Sequence, residues 1–66
     1  MDRRHEIQEI LQFIAEHPES YASLAVCRRA LDRGLERITE QTLRQLEHYL
    51  HGAPDDEIEA YHTIVM

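Results

Sequence analysis

Five histidines in a chain of 66 residues raise the question of metal binding first. His48 and His51 stand three apart, a spacing at which two rings on one helix face could share an ion, and Glu59 and His62 form a Glu-x-x-His pair. In helical di-iron bundles that pair works in duplicate, with two further glutamates from long facing helices. This chain has neither the second copy nor the length. The expectation is therefore no metal site, with the histidines on exposed helix faces or interacting with helix dipoles. Cys27 lies beside Arg28 and Arg29, which would favour a thiolate if the sulfur were exposed. Its helical spacing to Leu24 and Leu31 instead suits a small buried residue. Ser20, Ser23 and the threonines have no His or Asp partner at a suggestive distance. With two glycines in all, no loop is rich enough in glycine to cradle a phosphate. No catalytic residue and no cofactor follow, and the chain reads as a non-enzyme.

The arginines are the second candidate chemistry. Five of seven fall between Arg28 and Arg44, although the net charge is −6. Residues 1–27 carry a net −3, residues 28–44 a net +2 and residues 45–66 a net −5. A basic middle with acidic flanks suits self-complementarity or an acidic protein partner. Arg29, Arg33 and Arg37 are the residues expected to form a docking patch. The plainer alternative is a solvated helix face, because Arg28 and Asp32 have the i, i+4 spacing of weak surface pairs. Nucleic acid is disfavoured though not excluded. Residues 39–47, TEQTLRQLE, superficially look like a recognition helix, yet they carry one arginine against two glutamates, and phosphate attraction needs several net cations on the docking face.

The elements that would position these residues are helical throughout. Ile7, Ile10, Leu11 and Ile14 recur at i, i+3, i+4 and i+7, which predicts an amphipathic helix over 3–16. His17 precedes Pro18 and is pushed out of the helical region. Pro18 suits the first position of a second helix, with Glu19 in its first turn. That helix presents Tyr21, Leu24, Ala25 and Leu31, and Gly34 is the expected left-handed residue after its end. Thr39 reads as the N-cap of a third helix, flanked by Ile38 and Leu43 as a hydrophobic staple. Leu43, Leu46 and Leu50 share one face, and Gly52 stops the helix. Asp55 is expected to cap a short fourth helix or a fraying turn with Ile58, Tyr61 and Val65 on its inner side. The closing Ile64, Val65 and Met66 are expected to dock on a neighbour.

The expected fold is an all-α, three- to four-helix single domain, residues 1–66, with a helical-hairpin core and a dimeric state. Ile10, Ile14, Leu24, Leu31, Leu43, Leu46 and Leu50 are expected to form the core and the dimer seam. A chain this short buries only about 60% of its unfolded surface, and domains of this size lean on disulfides, metals or oligomerisation. One cysteine allows no intrachain bridge, which favours a reducing, cytoplasmic setting and a homo-oligomer. With no apolar run near 18 residues, no membrane partner is expected.

From Glu19 onward the pattern Leu24, Val26, Leu31, Gly34, Ile38, Thr39, Leu43, Leu46, Glu47, Tyr61 and Val65 resembles the small biofilm and acid-resistance connector proteins of enteric bacteria, the Ymg/Ari type. The resemblance covers about two-thirds of the chain. It implies a helical homodimer without catalytic residues that modulates a signalling or transcription pathway by protein contact. Two other functions fit the composition. One is a DNA-binding transcriptional regulator. The other is a phage- or plasmid-encoded inhibitor of a host protein, whose acidic Asp55–Glu59 segment would imitate phosphate spacing.

Overall fold

The computed structural model describes residues 3–66, and among them four α-helices and no strand. α1 spans Arg3–Glu16, α2 Tyr21–Leu31, α3 Glu40–Gly52 and α4 Asp55–Val65. The expected all-α fold of three to four helices is thus a four-helix fold in which α1 and α2 each pack across both α3 and α4. The core is broader than a hairpin for that reason. Ile7, Ile10 and Ile14 of α1 meet Leu46 and Leu50 of α3 and Ile58, Tyr61 and Val65 of α4. Each fully buried aliphatic side chain of this kind contributes about 1.5–3 kcal/mol.

Local chemistry explains most boundaries, and in three places it corrects the sequence reading. α1 ends at Glu16, one residue before the His17–Pro18 step, where proline disfavours the helical conformation of the residue before it, and the His17 ring rests on Phe13 with centroids 4.9 Å apart. Pro18 and Glu19 then form a turn and do not open α2. Ser20 is the N-cap, its Oγ accepting from the Ser23 amide at 3.1 Å. Ser23, fully buried, returns its own hydroxyl to the His17 carbonyl at 2.7 Å, so the hydroxyl is satisfied without water. At the other end of α2 the left-handed residue is Asp32 (φ 53°, ψ 47°), while neither glycine adopts positive φ. Aspartate tolerates this region better than most residues, and the turn closes two residues earlier than Gly34 would have closed it. α3 opens as expected at Thr39, in a reciprocal capping box with Thr42. α4 has Pro54 at its N-cap and no side-chain cap bond, so Asp55 is its first helical residue.

The helix faces are also rotated from part of the expected seam. Ile10, Ile14, Leu46 and Leu50 are wholly buried, but Leu24, Leu31 and Leu43 remain half-exposed. α2 turns its small residues inward, Ser23, Val26, Cys27 and Ala30. Small side chains let its backbone approach α3 and α4 closely. Of the last three residues only Val65 docks in the core, with Ile64 and Met66 in solvent.

One side chain ties the ends together. The Arg3 guanidinium donates from Nη2 to the carbonyls of His51 at 2.9 Å and Ala53 at 2.6 Å, and more distantly to Leu50 at 3.3 Å. Nη1 meets Asp55 Oδ1 at 2.8 Å. It therefore satisfies the orphan carbonyls at the end of α3 and holds the first turn of α4. Replacing Arg3 by Ala is expected to cost about 1–2 kcal/mol, most of it from the charge-assisted carbonyl bonds and little from the exposed ion pair. Thermal unfolding followed by circular dichroism checks this, with Asp55→Ala costing distinctly less.

Candidate protein-binding face

The arginine segment folds as a braced loop, residues 32–39, between α2 and α3. Arg28 donates from Nε to the Leu35 carbonyl at 2.7 Å, pulling the loop back onto its own helix. Leu35 and Ile38 pack half-buried against the core. Arg33 donates from Nη2 to Oε1 of Gln45 on α3. The chain leaves α2 at Leu31, so Arg29 lies on the helix and Arg33 on the loop beyond it.

Arg29, Arg33 and Arg37 are all exposed, but their surroundings differ. Arg29 lies on α2 within electrostatic reach of Glu57 on α4. Arg33 already holds Gln45. Arg37 has no hydrogen bond or ion pair to any described residue, and it borders a cleft with Pro18, Glu19, Leu24, Glu36 and Ile38. The structure therefore places Arg33 and Arg37 on one loop and sets Arg29 apart from them. That cleft also accounts for the half-exposed Leu24, which sequence periodicity assigned to the core.

Two polar clusters went unread in the sequence. Glu57 Oε2 accepts from the phenols of both Tyr49 and Tyr61, the latter at 2.6 Å. The two phenol bonds hold the Glu57 carboxyl below its ordinary range, with Arg29 adding a smaller push in the same direction. Tyr61 is raised mainly by burial and then by Glu57, whereas the bond to Glu57 is the main cause of the rise at Tyr49. On the opposite side of α4, His62 Nε2 lies 2.8 Å from Glu9 Oε1, and Nδ1 lies 3.7 Å from Glu6 Oε2. His5 approaches the same Glu9 oxygen at 3.5 Å. The sequence pair Glu59 and His62 thus gives way to contacts of His62 with α1. His51 turns to Glu47 at 3.9 Å and not to His48. Among the described residues no group of three His, Cys, Asp or Glu side chains could hold a metal ion. A carboxylate four residues before a tyrosine, as in Glu57 and Tyr61, was the legible signal for the first cluster. The second depends on α1 meeting α4, which spacing along the chain does not encode.

Cys27 is fully buried, and burial raises its thiol to about 11. Thiolate chemistry beside Arg28 and Arg29 is closed to it in the folded chain. An aromatic disulfide reagent is expected to label Cys27 slowly in the native protein and quickly in denaturant, both readable by absorbance. Because the carboxyl of Glu57 is depressed by folding, it adds stability above its unfolded value that is lost as pH falls through the folded one. Glu57→Gln is therefore expected to unfold at a lower urea midpoint at neutral pH and to lose less on acidification than the wild type. The raised phenols act oppositely. Their stabilisation is complete below about pH 10 and disappears at more alkaline pH.

No helix among the described residues is long and apolar enough to cross a membrane. In comparisons with protein-family models, curated proteins and solved structures, nothing matches this chain.

Proposed function

We propose that this chain is a small non-catalytic regulatory protein of the cytoplasm that works by protein–protein contact, as a modulator of a signalling or transcription pathway. It presents Arg33 and Arg37 to an acidic surface of its partner, with Arg29 at the edge of the contact. The observation that carries this reading is the bracing of the α2–α3 loop. Arg28 and Gln45 hold it from two helices, and Leu35 and Ile38 rest half-buried against the core, while Arg37 is left without a partner among the described residues. A loop ordered before binding spends less conformational entropy on docking. The half-exposed Leu24 and Ile38 beside Arg37 supply apolar area where a charge alone would bind weakly. The resemblance to small connector proteins points in the same direction. The mechanism is occlusion or bridging of the partner.

Capture from source cells on tagged wild type and on Arg33→Glu/Arg37→Glu, compared by mass spectrometry, tests the reading. The expected result is one protein retained by the wild type at low salt and lost by the variant, with the helical circular-dichroism signal unchanged. Equal retention by both chains would remove the loop as the docking site. Recovery of duplex DNA with a steep salt dependence would move the reading to a DNA-binding regulator. Arg29→Glu belongs in a separate variant, because it sets a carboxylate towards Glu57 and is expected to lower stability.

A further inference from the structure

A second face stands apart from the arginine loop. α1 and α3 leave a shallow groove between them, with Leu11 and Leu43 half-buried on its floor and Arg4, Arg44, Glu47 and His51 along its rim. The two walls have one spacing. On α3, Glu40, Arg44, Glu47 and His51 recur at i, i+4, i+7 and i+11, and on α1 so do Arg4, Gln8, Leu11 and Ala15. Each stripe is about 16 Å long at 1.5 Å per residue. The bonds from Arg3 to the carbonyls of His51 and Ala53 show that α1 runs antiparallel to α3. The Arg4 end of one stripe therefore lies beside the His51 end of the other.

We propose that this α1–α3 face binds a second copy of the same chain, about a two-fold axis that crosses both helices midway along their stripes. The argument is charge complementarity. Such an axis sets α3 against its own reverse. Arg44 then faces Glu47 of the second copy, Glu47 faces its Arg44, and Glu40 faces its His51, so no like charges meet. On α1 the same axis sets Leu11 against Gln8 of the second copy, with the two Leu11 side chains diagonal neighbours across the centre. The small Ala15 stands opposite Arg4 and leaves room for its guanidinium. The other possible axis, running along the groove, would lay α3 on α1 of the second copy. Arg44 would then meet Leu11 and be desolvated without a partner, and Glu47 would meet only the neutral amide of Gln8, so no charge pair would form across the contact. The self-complementary register also gives a role to Arg44, which makes no hydrogen bond or ion pair with any described residue.

Sedimentation equilibrium of the full chain at low salt, up to roughly 1 mM, where a contact of about −4 kcal/mol is half-formed, tests this directly. The wild type is expected to dimerise reversibly. Arg44→Glu and Glu47→Arg each create two like-charge contacts across the axis, and each is expected to raise the dissociation constant at least about tenfold. Combining both substitutions in one chain restores the pairing, as does mixing the two single variants one to one, which gives a heterodimer. Circular dichroism of each variant confirms that the fold is kept. A wild type that stays monomeric throughout, or a dimer indifferent to the two reversals, overturns the proposal. So does failure of both the double variant and the mixture to recover association.

Discussion

The corner between α3 and α4 is the constraint on which the rest of the fold depends. Two residues, Ala53 and Pro54, separate the helices. A connection so short leaves the last carbonyls of α3 crowded against the start of α4, and Pro54 cannot donate to any of them. Arg3 answers that need from the far end of the sequence, with three carbonyls and Asp55 on one guanidinium. A lysine would offer a point charge where this site requires a planar fork of donors. Because the clamp resides in the first turn of α1, it also fixes how α1 lies on α4. Ile58 and Tyr61 are then buried against Ile7, Ile10 and Ile14.

Burial of Tyr61 in turn requires a partner for its hydroxyl, since an unpaired phenol in a core is costly. Glu57, one helical turn back, supplies it and takes a second bond from Tyr49 of α3. Two neighbouring helices are thus linked by one carboxylate at the edge of the core. α2 closes the opposite side with small residues, and the satisfied hydroxyl of Ser23 lets it do so without a stranded polar group. Polar satisfaction and close packing are the same requirement in a domain of this size.

How much of this was legible in the sequence depended on whether the signal was local. The 3–4 spacing of isoleucines and leucines placed α1 and the inner face of α3, and Thr39 marked a boundary that the capping box then occupies. Gly34 misled because an aspartate can take the left-handed turn when the loop behind it is tied down by Arg28. Leu24 and Leu31 misled for a different reason. Periodicity finds the most apolar stripe of a helix, whereas a close helix crossing selects the smallest residues, and in α2 those two stripes differ. The contacts Arg3 to the α3–α4 corner and His62 to Glu6 and Glu9 join residues about fifty apart, and no local pattern announces them. The proposed docking residues were legible as exposed arginines, but their division between a braced loop and a helix face was not.

That division bears on why an acidic chain concentrates arginines in its middle. Arg28 secures the loop, Arg29 offsets the charge of Glu57, and Arg33 reaches across to Gln45. Arg37 and Arg44 are left over, one beside the Pro18–Leu24 cleft and the other on the α1–α3 groove. These are separate surfaces. A phosphate backbone rewards several cations on one continuous face, and here the free charges are divided between two faces with glutamates next to each. Each remaining arginine has apolar side chains on one side and an acidic residue on the other. Such a setting suits a partner of mixed polar and apolar surface, which describes a protein better than a nucleic acid.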